Sequence, residues 1–250
     1  MRRSCAPLLP TLLLLLVGVP DVAPAAEPAA IAPLRPPAVP LVAVDPYLSV
    51  WSTADRLHDG ETRHWTGRQH TLRGLVRIDG RAYRVMGAEP RDVPAMPQVG
   101  VDVTPTRTVY TFEAAGVRLA LTFLTPVLPD DLDLMTRPVT YVAWRAASTD
   151  GKPHDVSAYL SAGGELAVND ERQAVVARRE QIGDLTALVI GSADQPVLRS
   201  KGDDHRIDWG YLYLTAPAAA GAAIGDDLAL AKAFANDGKL PAADDARFPR

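Results

Sequence analysis

Two histidines stand six residues apart in the stretch "TRHWTGRQH", Thr62 to His70, which also holds a tryptophan, two arginines and a glycine. The whole chain has only five histidines, so the pairing invites a chemical question. A zinc site would want three or four ligands, and no CxxC or HExxH accompanies His64 and His70. Their spacing is not that of a helical i, i+4 pair, and the Thr66-Gly67 step between them reads as a turn. No metal and no cofactor is therefore expected.

Acidic pairs are the second group able to do chemistry. "LPDDLDL" (Leu128 to Leu134) and "KGDDHRIDWGYLYL" (Lys201 to Leu214) each present neighbouring carboxylates. Two carboxylates can share acid and base roles in sugar or amide hydrolysis, though such pairs are more often solvated turns. "DPYLSVWS" adds Asp45, Tyr47 and Trp51, where rings could stack on a ligand or fill a core. A nucleophile elbow of the G-x-S-x-G type is absent, as are G-x-x-x-x-G-K and G-x-G-x-x-G. "SAGGE" reads as a Gly-Gly turn or bulge, not a phosphate cradle. The candidate ligand or interface residues are thus Asp45, Tyr47, Trp51, His64, Trp65, Asp203, Asp204, Arg206 and Trp209, with Arg206 expected to pair with Asp203 or Asp204. No residue is assigned a catalytic role.

The elements that must position them are β-strands. "LVRIDGRAYRVMG" alternates, turns at Asp79-Gly80 and alternates again, a strong hairpin signal. "RTVYTFEAAGVRLALTFLTP" repeats the form around Ala115-Gly116, with Val117, Leu119, Leu121 and Phe123 on one face. "VTYVAWRAAS", "DVSAYLSA", "QAVVARRE", "LTALVIG" and "GYLYLTA" extend the series. Strands every ten residues or so, with Gly, Pro and Asp between them, predict an all-β sandwich. One helix is expected near the C-terminal end, in "GDDLALAKAFANDGK". Asp226 or Asp227 would cap it, Gly238 would stop it, and Leu228, Leu230, Ala233 and Phe234 would form its apolar face.

Bulk properties narrow the class further. Apolar residues make up 47% and charged residues 22%, enough to bury a core. A net charge of -4 speaks against a nucleic-acid partner. "MRRSCAP", then "LLPTLLLLLVGV" and "APA", follow the pattern of a secretory signal peptide over residues 1–26, too short for a good membrane span. An exported protein, periplasmic or extracellular, is expected, with no membrane attachment after cleavage. Loss of Arg2, Arg3 and Asp21 leaves 24 basic against 29 acidic residues. The sole cysteine, Cys5, lies before the apolar run, so no disulfide or thiol chemistry is expected in the mature chain. Residues 27 to 40, rich in Pro and Ala, read as an extended linker.

"DPYLSVWSTADRLHDGETRHWTGRQHTLRGLVRIDGRAYRVMG" resembles the N-terminal module of the glutaminase A family, which are secreted bacterial and fungal proteins. The stretch from "VTPTRTVYTF" to "SAGGELAVN" looks like the β-rich module that follows it, and "KGDDHRIDWGYLYL" is similar to a later signature of that module. The resemblance runs from about Pro36 to Leu214. It implies an N-terminal module over 27–95 and a β-sandwich module over 96–250. A C-terminal helical toroid of the glycoside-hydrolase type would follow, and it is not in this sequence. The activity implied for the family is hydrolysis of L-glutamine to glutamate and ammonia. The implied partners are that toroid and a small-molecule substrate, glutamine or a glycan. On this view the chain is a truncated structural and interface module. The alternative is an accessory or carbohydrate-binding domain of a glycoside-hydrolase-like enzyme.

Overall fold

Alternating side chains dictate the architecture, because every strand must bury one face. The computed structural model of the chain describes residues 35–218 and 220–247. The expected signal peptide and most of the expected linker lie outside them. Strand β1 (Val39–Ala43) already begins within the stretch read as a linker and pairs antiparallel with β2 (Ser49–Ser52). Pro40 is accommodated beside a register shift. The Asp45 carboxylate closes the hairpin by accepting from Tyr47 N at 2.7 Å and Leu48 N at 2.9 Å.

The first main sheet has the order β4-β3-β9, from β3 (Leu72–Ile78), β4 (Arg81–Met86) and β9 (Val156–Ala162). Asp79 and Gly80 turn β3 into β4 with φ of 50° and 84°, the left-handed pair a tight hairpin demands. The second sheet is a four-stranded meander of β5 (Gln98–Thr104), β6 (Arg107–Ala114), β7 (Val117–Leu124) and β8 (Tyr141–Ser148). Leu72, Val76, Val85 and Met86 from the first sheet share a core with Tyr110, Phe112, Leu119, Leu121 and Phe123 from the second. That shared core makes the pair a β-sandwich, as the alternation predicts. A third sheet, β10 (Val175–Ile182), β11 (Leu185–Ser192) and β12 (Leu212–Pro217), carries the last strands.

Turn residues tie the sheets together. His154 puts Nδ1 2.7 Å from Asp79 Oδ2 and Nε2 3.0 Å from Asp150 Oδ1. Two carboxylates, Asp79 first, hold the ring as an imidazolium and raise its pKa. Gly116 (φ 74°) lies beneath this bridge, and a Cβ there would fall 2.7 Å from Asp150 and 2.8 Å from His154.

Two helices interrupt the strands. The acidic "LPDDLDL" forms one short helical turn, α1 (Leu132–Met135), with Asp131 capping Leu134 N; the sequence reading had only a turn there. Helix α2 (Asp227–Asp237) lies where expected, capped by Asp226 and ended by Gly238 at φ 71°. Its buried stripe agrees with the expected one at Phe234 and at Leu230, which packs against the same cluster, and differs elsewhere. Ala231, Phe234 and Ala235 face inward, against Leu75 and Tyr159, while Leu228 lines a cleft instead. The reason is proximity: the rings of Tyr159 and Phe234 stand 5.4 Å apart, so small alanines must flank the contact. β3 is therefore covered on both faces, which explains its almost continuous burial.

Candidate functional site

Thr62 to His70 folds as a tight antiparallel finger beside β2. Trp51 and Arg63 exchange backbone hydrogen bonds of 2.7 and 2.9 Å, and His64 N donates to Arg68 O at 2.8 Å. Gly67, at φ 88°, makes the reversal possible. At the base, the Thr62 hydroxyl donates to His70 O (2.6 Å) and accepts from Leu72 N (2.7 Å).

His64 is 1% exposed and both ring nitrogens are engaged. Nε2 lies 3.0 Å from Pro46 O, which can only accept, so this nitrogen carries the proton. Nδ1 is then an acceptor for Thr66 N at 3.3 Å and for the Thr66 hydroxyl at 3.0 Å. Burial lowers the His64 pKa, in keeping with a neutral ring. His64 has no free lone pair for a base. Trp65 Nε1 donates to the same Pro46 carbonyl at 2.7 Å, leaving its ring 53% exposed. His70 is fully buried, with its ring centroid 4.9 Å from that of His64. Its Nδ1 meets Ser49 O at 3.3 Å and its Nε2 has no partner among the described residues. Burial first, then His64, pushes its pKa down to about 4.

The third loop meets this finger. Arg206 is 7% exposed; its Nη1 donates to Asp204 Oδ1 at 2.7 Å and to the Thr66 hydroxyl at 3.3 Å. Its Nε donates to Asn169 O at 2.9 Å, and its Nη2 also reaches that carbonyl. Partial burial works to raise the Asp204 pKa, but the Arg206 guanidinium outweighs it and holds the carboxyl below its usual range. Ile207 N donates to Tyr47 O at 3.2 Å, joining the Asp45 loop to the same cluster.

Of the nine residues singled out by sequence, then, the structure joins Asp45, Tyr47, His64, Trp65, Asp204 and Arg206 through one hydrogen-bonded cluster. Asp45 serves its own turn. Tyr47 contributes its carbonyl, with its ring 52% exposed. Trp209, 37% exposed, follows Arg206 in the same loop. Asp203 is exposed and bonds to none of the others. Trp51 is half-buried in β2, and its buried indole N–H has no hydrogen-bond partner among the described residues. Thr66 and Asn169, which link the loops, carry no signal in the sequence, since a hydroxyl and a backbone carbonyl look alike everywhere.

Two cavities adjoin the cluster. One, of about 240 Å³, is polar and bounded by Arg68, Glu165, Asn169 and Arg206. The other is a cleft of about 1300 Å³ between the β8–β9 face, the third sheet and the chain around α2. Gln69 and Glu165 line both. Among the described residues no three His, Cys, Asp or Glu side chains are grouped to hold a metal.

The geometry defines a β-sandwich module whose loop end is cemented by internal hydrogen bonds and rimmed with aromatic rings. The chain belongs to the family described as a domain of unknown function, DUF5127, whose model matches residues 106–250. Residues 20–98 match a second domain of unknown function, DUF4964. The chain is similar to Glutaminase A of Aspergillus oryzae, with 30% identity over 228 residues, 86% of this chain and 32% of that protein. It is also similar to a probable glutaminase of Arthroderma benhamiae, with 26% identity over 241 residues, 86% of this chain and 27% of that protein. It thus spans about a third or less of the length of these curated relatives.

Proposed function

We propose that this chain is the β-rich module of an exported glutaminase-like hydrolase, and that its loop end docks against a further domain that carries the chemistry. One observation supports this above the rest. The polar groups of the loop cluster are spent on one another: His64 on Pro46 and Thr66, Arg206 on Asp204 and Asn169. Outward remain the rings of Tyr47, Trp65 and Trp209, with the Asp203 carboxylate and the paired Asp204 also exposed. Such a face is suited to touching and poorly suited to proton transfer. Export is proposed from the cationic and apolar start of the sequence. The glutaminase activity is proposed from the relatives' names.

Ammonia release from L-glutamine is the direct test, run on this chain and on the whole protein. Turnover by the whole protein and none by this chain is expected. Release by this chain at the whole protein's rate would move the chemistry into the sandwich. The exposed rings also favour a second reading, a glycan-binding surface. Saturable binding of an oligosaccharide, weakened by Trp65→Ala, would support that alternative.

A further inference from the structure

Strand β9 ends the first sheet and carries an open edge. Gly163 N donates to Thr71 O at one end of its pairing with β3, and Asp79 N donates to Asp155 O at the other, both at 2.9 Å. These two bonds fix the phase of the ladder. The backbone groups of Ser157, Tyr159 and Ser161 point at β3, and those of Ala158, Leu160 and Ala162 point away from it. Among the described residues the N–H and C=O groups of these last three have no hydrogen-bond partner. Such edges invite pairing, and proteins blunt them with charge or proline. The other edge strands of the three sheets are so guarded, by Arg84 in β4, Asp102 in β5, Arg145 in β8, Arg178 in β10 and Pro217 in β12. "VSAYLSA" in β9 holds neither a charge nor a proline.

The edge runs along the cleft of about 1300 Å³, lined by residues 157–163 on one side and the third sheet on another. The register puts Leu188, Ile190, Leu212 and Leu214 on the sheet face that lines it. All four are half-buried, and among the described residues the third sheet gives no buried side chain to either hydrophobic core. The polar groups at the α2 end are already matched, since Arg73 and Ser161 both bond to Asp227.

An occupant of this cleft has to pair backbone groups and cover leucines together. A lipid would cover the leucines and leave the β9 amides and carbonyls unpaired, while a sugar would do the reverse. An extended polypeptide with alternate apolar side chains does both. This chain spans about a third or less of the length of its curated relatives, which leaves ample polypeptide to supply one. Residues 27–34, "EPAAIAPL", are poorly suited, with two prolines that cannot donate to a ladder. We propose that β9 accepts a further strand, an apolar extended segment of the whole protein outside this chain, whose side chains pack on Leu188, Ile190, Leu212 and Leu214. The proposal rests on the module reading above and concerns a different face. That reading fails if this chain alone turns over glutamine, whereas the added strand fails on the amides of β9, so the two failures are told apart.

Hydrogen–deuterium exchange over residues 156–163, resolved to single amides, tests it in this chain and in the whole protein. The amides of Ala158, Leu160 and Ala162 should exchange rapidly in this chain and about a hundredfold or more slowly in the whole protein, as those of an internal strand do. Tyr159 and Ser161, held by β3, should be slow in both. Ala158→Pro removes one outward N–H and leaves the β3 ladder intact. It should keep the thermal midpoint of this chain and speed exchange at Leu160 and Ala162 in the whole protein. Equally rapid exchange of the three outward amides in both proteins would overturn the proposal. So would slow exchange of all three in this chain alone, which would assign the edge to a second copy, or an Ala158→Pro variant whose whole protein exchanges as the wild type does.

Discussion

His70 buries an imidazole with one nitrogen unmatched, and that has a pH signature. Its pKa falls from 6.5 to about 4 on folding. Between these values the unfolded chain binds the proton and the folded one does not, so stability rises with pH across that window. It is undiminished above about 6.5 and declines as pH falls, until the folded ring also protonates near 4. The full decline is on the order of 3 kcal/mol. Compared with His70→Gln, the wild-type thermal midpoint should fall more steeply from pH 7 to 4. Parallel curves would mean that the buried ring does not titrate as its surroundings require. The location of His64 and His70 in a turning loop is legible in "TRHWTGRQH". Their role is not, because a buried neutral histidine and a catalytic one are spelled alike. Only the Pro46 and Ser49 carbonyls, 18 and 21 residues away, tell them apart.

Helix α2 illustrates the same division for an element. Its start and stop were readable, since Asp226 and Gly238 act locally. Its anchorage was not. Arg73 in β3 reaches Asp227 with Nε at 3.0 Å and Nη2 at 2.9 Å, across 154 residues of sequence. The guanidinium is 7% exposed, so removing Asp227 strands a buried cation. Glu61, at 3.5 Å from Nη1, offsets part of that. Asp227→Ala should therefore cost about 2 kcal/mol in urea unfolding, below the usual range for a buried pair because Asp227 is 27% exposed. The double change Arg73→Leu, Asp227→Leu should cost less than Asp227→Ala alone, since it leaves no unpaired charge. A double variant less stable than the single one would show that the pair itself, and not the stranded arginine, holds the helix. Hairpins at Asp79-Gly80 and Ala115-Gly116 were equally legible, for the turn residues declare them. Strand β5 was passed over although Val99, Val101 and Val103 alternate in "QVGVDVT" and the last two pack on the core; the Gly100 and Asp102 between them are residues more typical of turns.

At the scale of the whole molecule, what binds the two family-matched stretches is a pairing no local pattern reveals. β3, within residues 20–98, takes β9, within residues 106–250, as its neighbour, with Leu75 opposite Tyr159. One core runs through both stretches. The sandwich was predictable from alternation, but the partnering of strands that far apart depends on loop closure and packing, which leave no trace at either site. That rigid body is what gives the loop end its meaning. With its indole N–H held by the Pro46 carbonyl, the exposed ring of Trp65 cannot fold inward to hide, and Trp209 is exposed in the Arg206 loop. If they meet a further domain, their solvent exposure must fall when that domain is present. The chain has four tryptophans, of which Trp51 and Trp144 are partly buried, so acrylamide quenching of this chain should be dominated by Trp65 and Trp209. The comparison is made as a difference, so that tryptophans of a further domain would cancel. Trp65→Phe with Trp209→Phe should remove a strongly quenched component from this chain and a much weaker one from the whole protein. If the component removed is quenched equally in both, the aromatic rim faces water in both, and docking through this face is excluded.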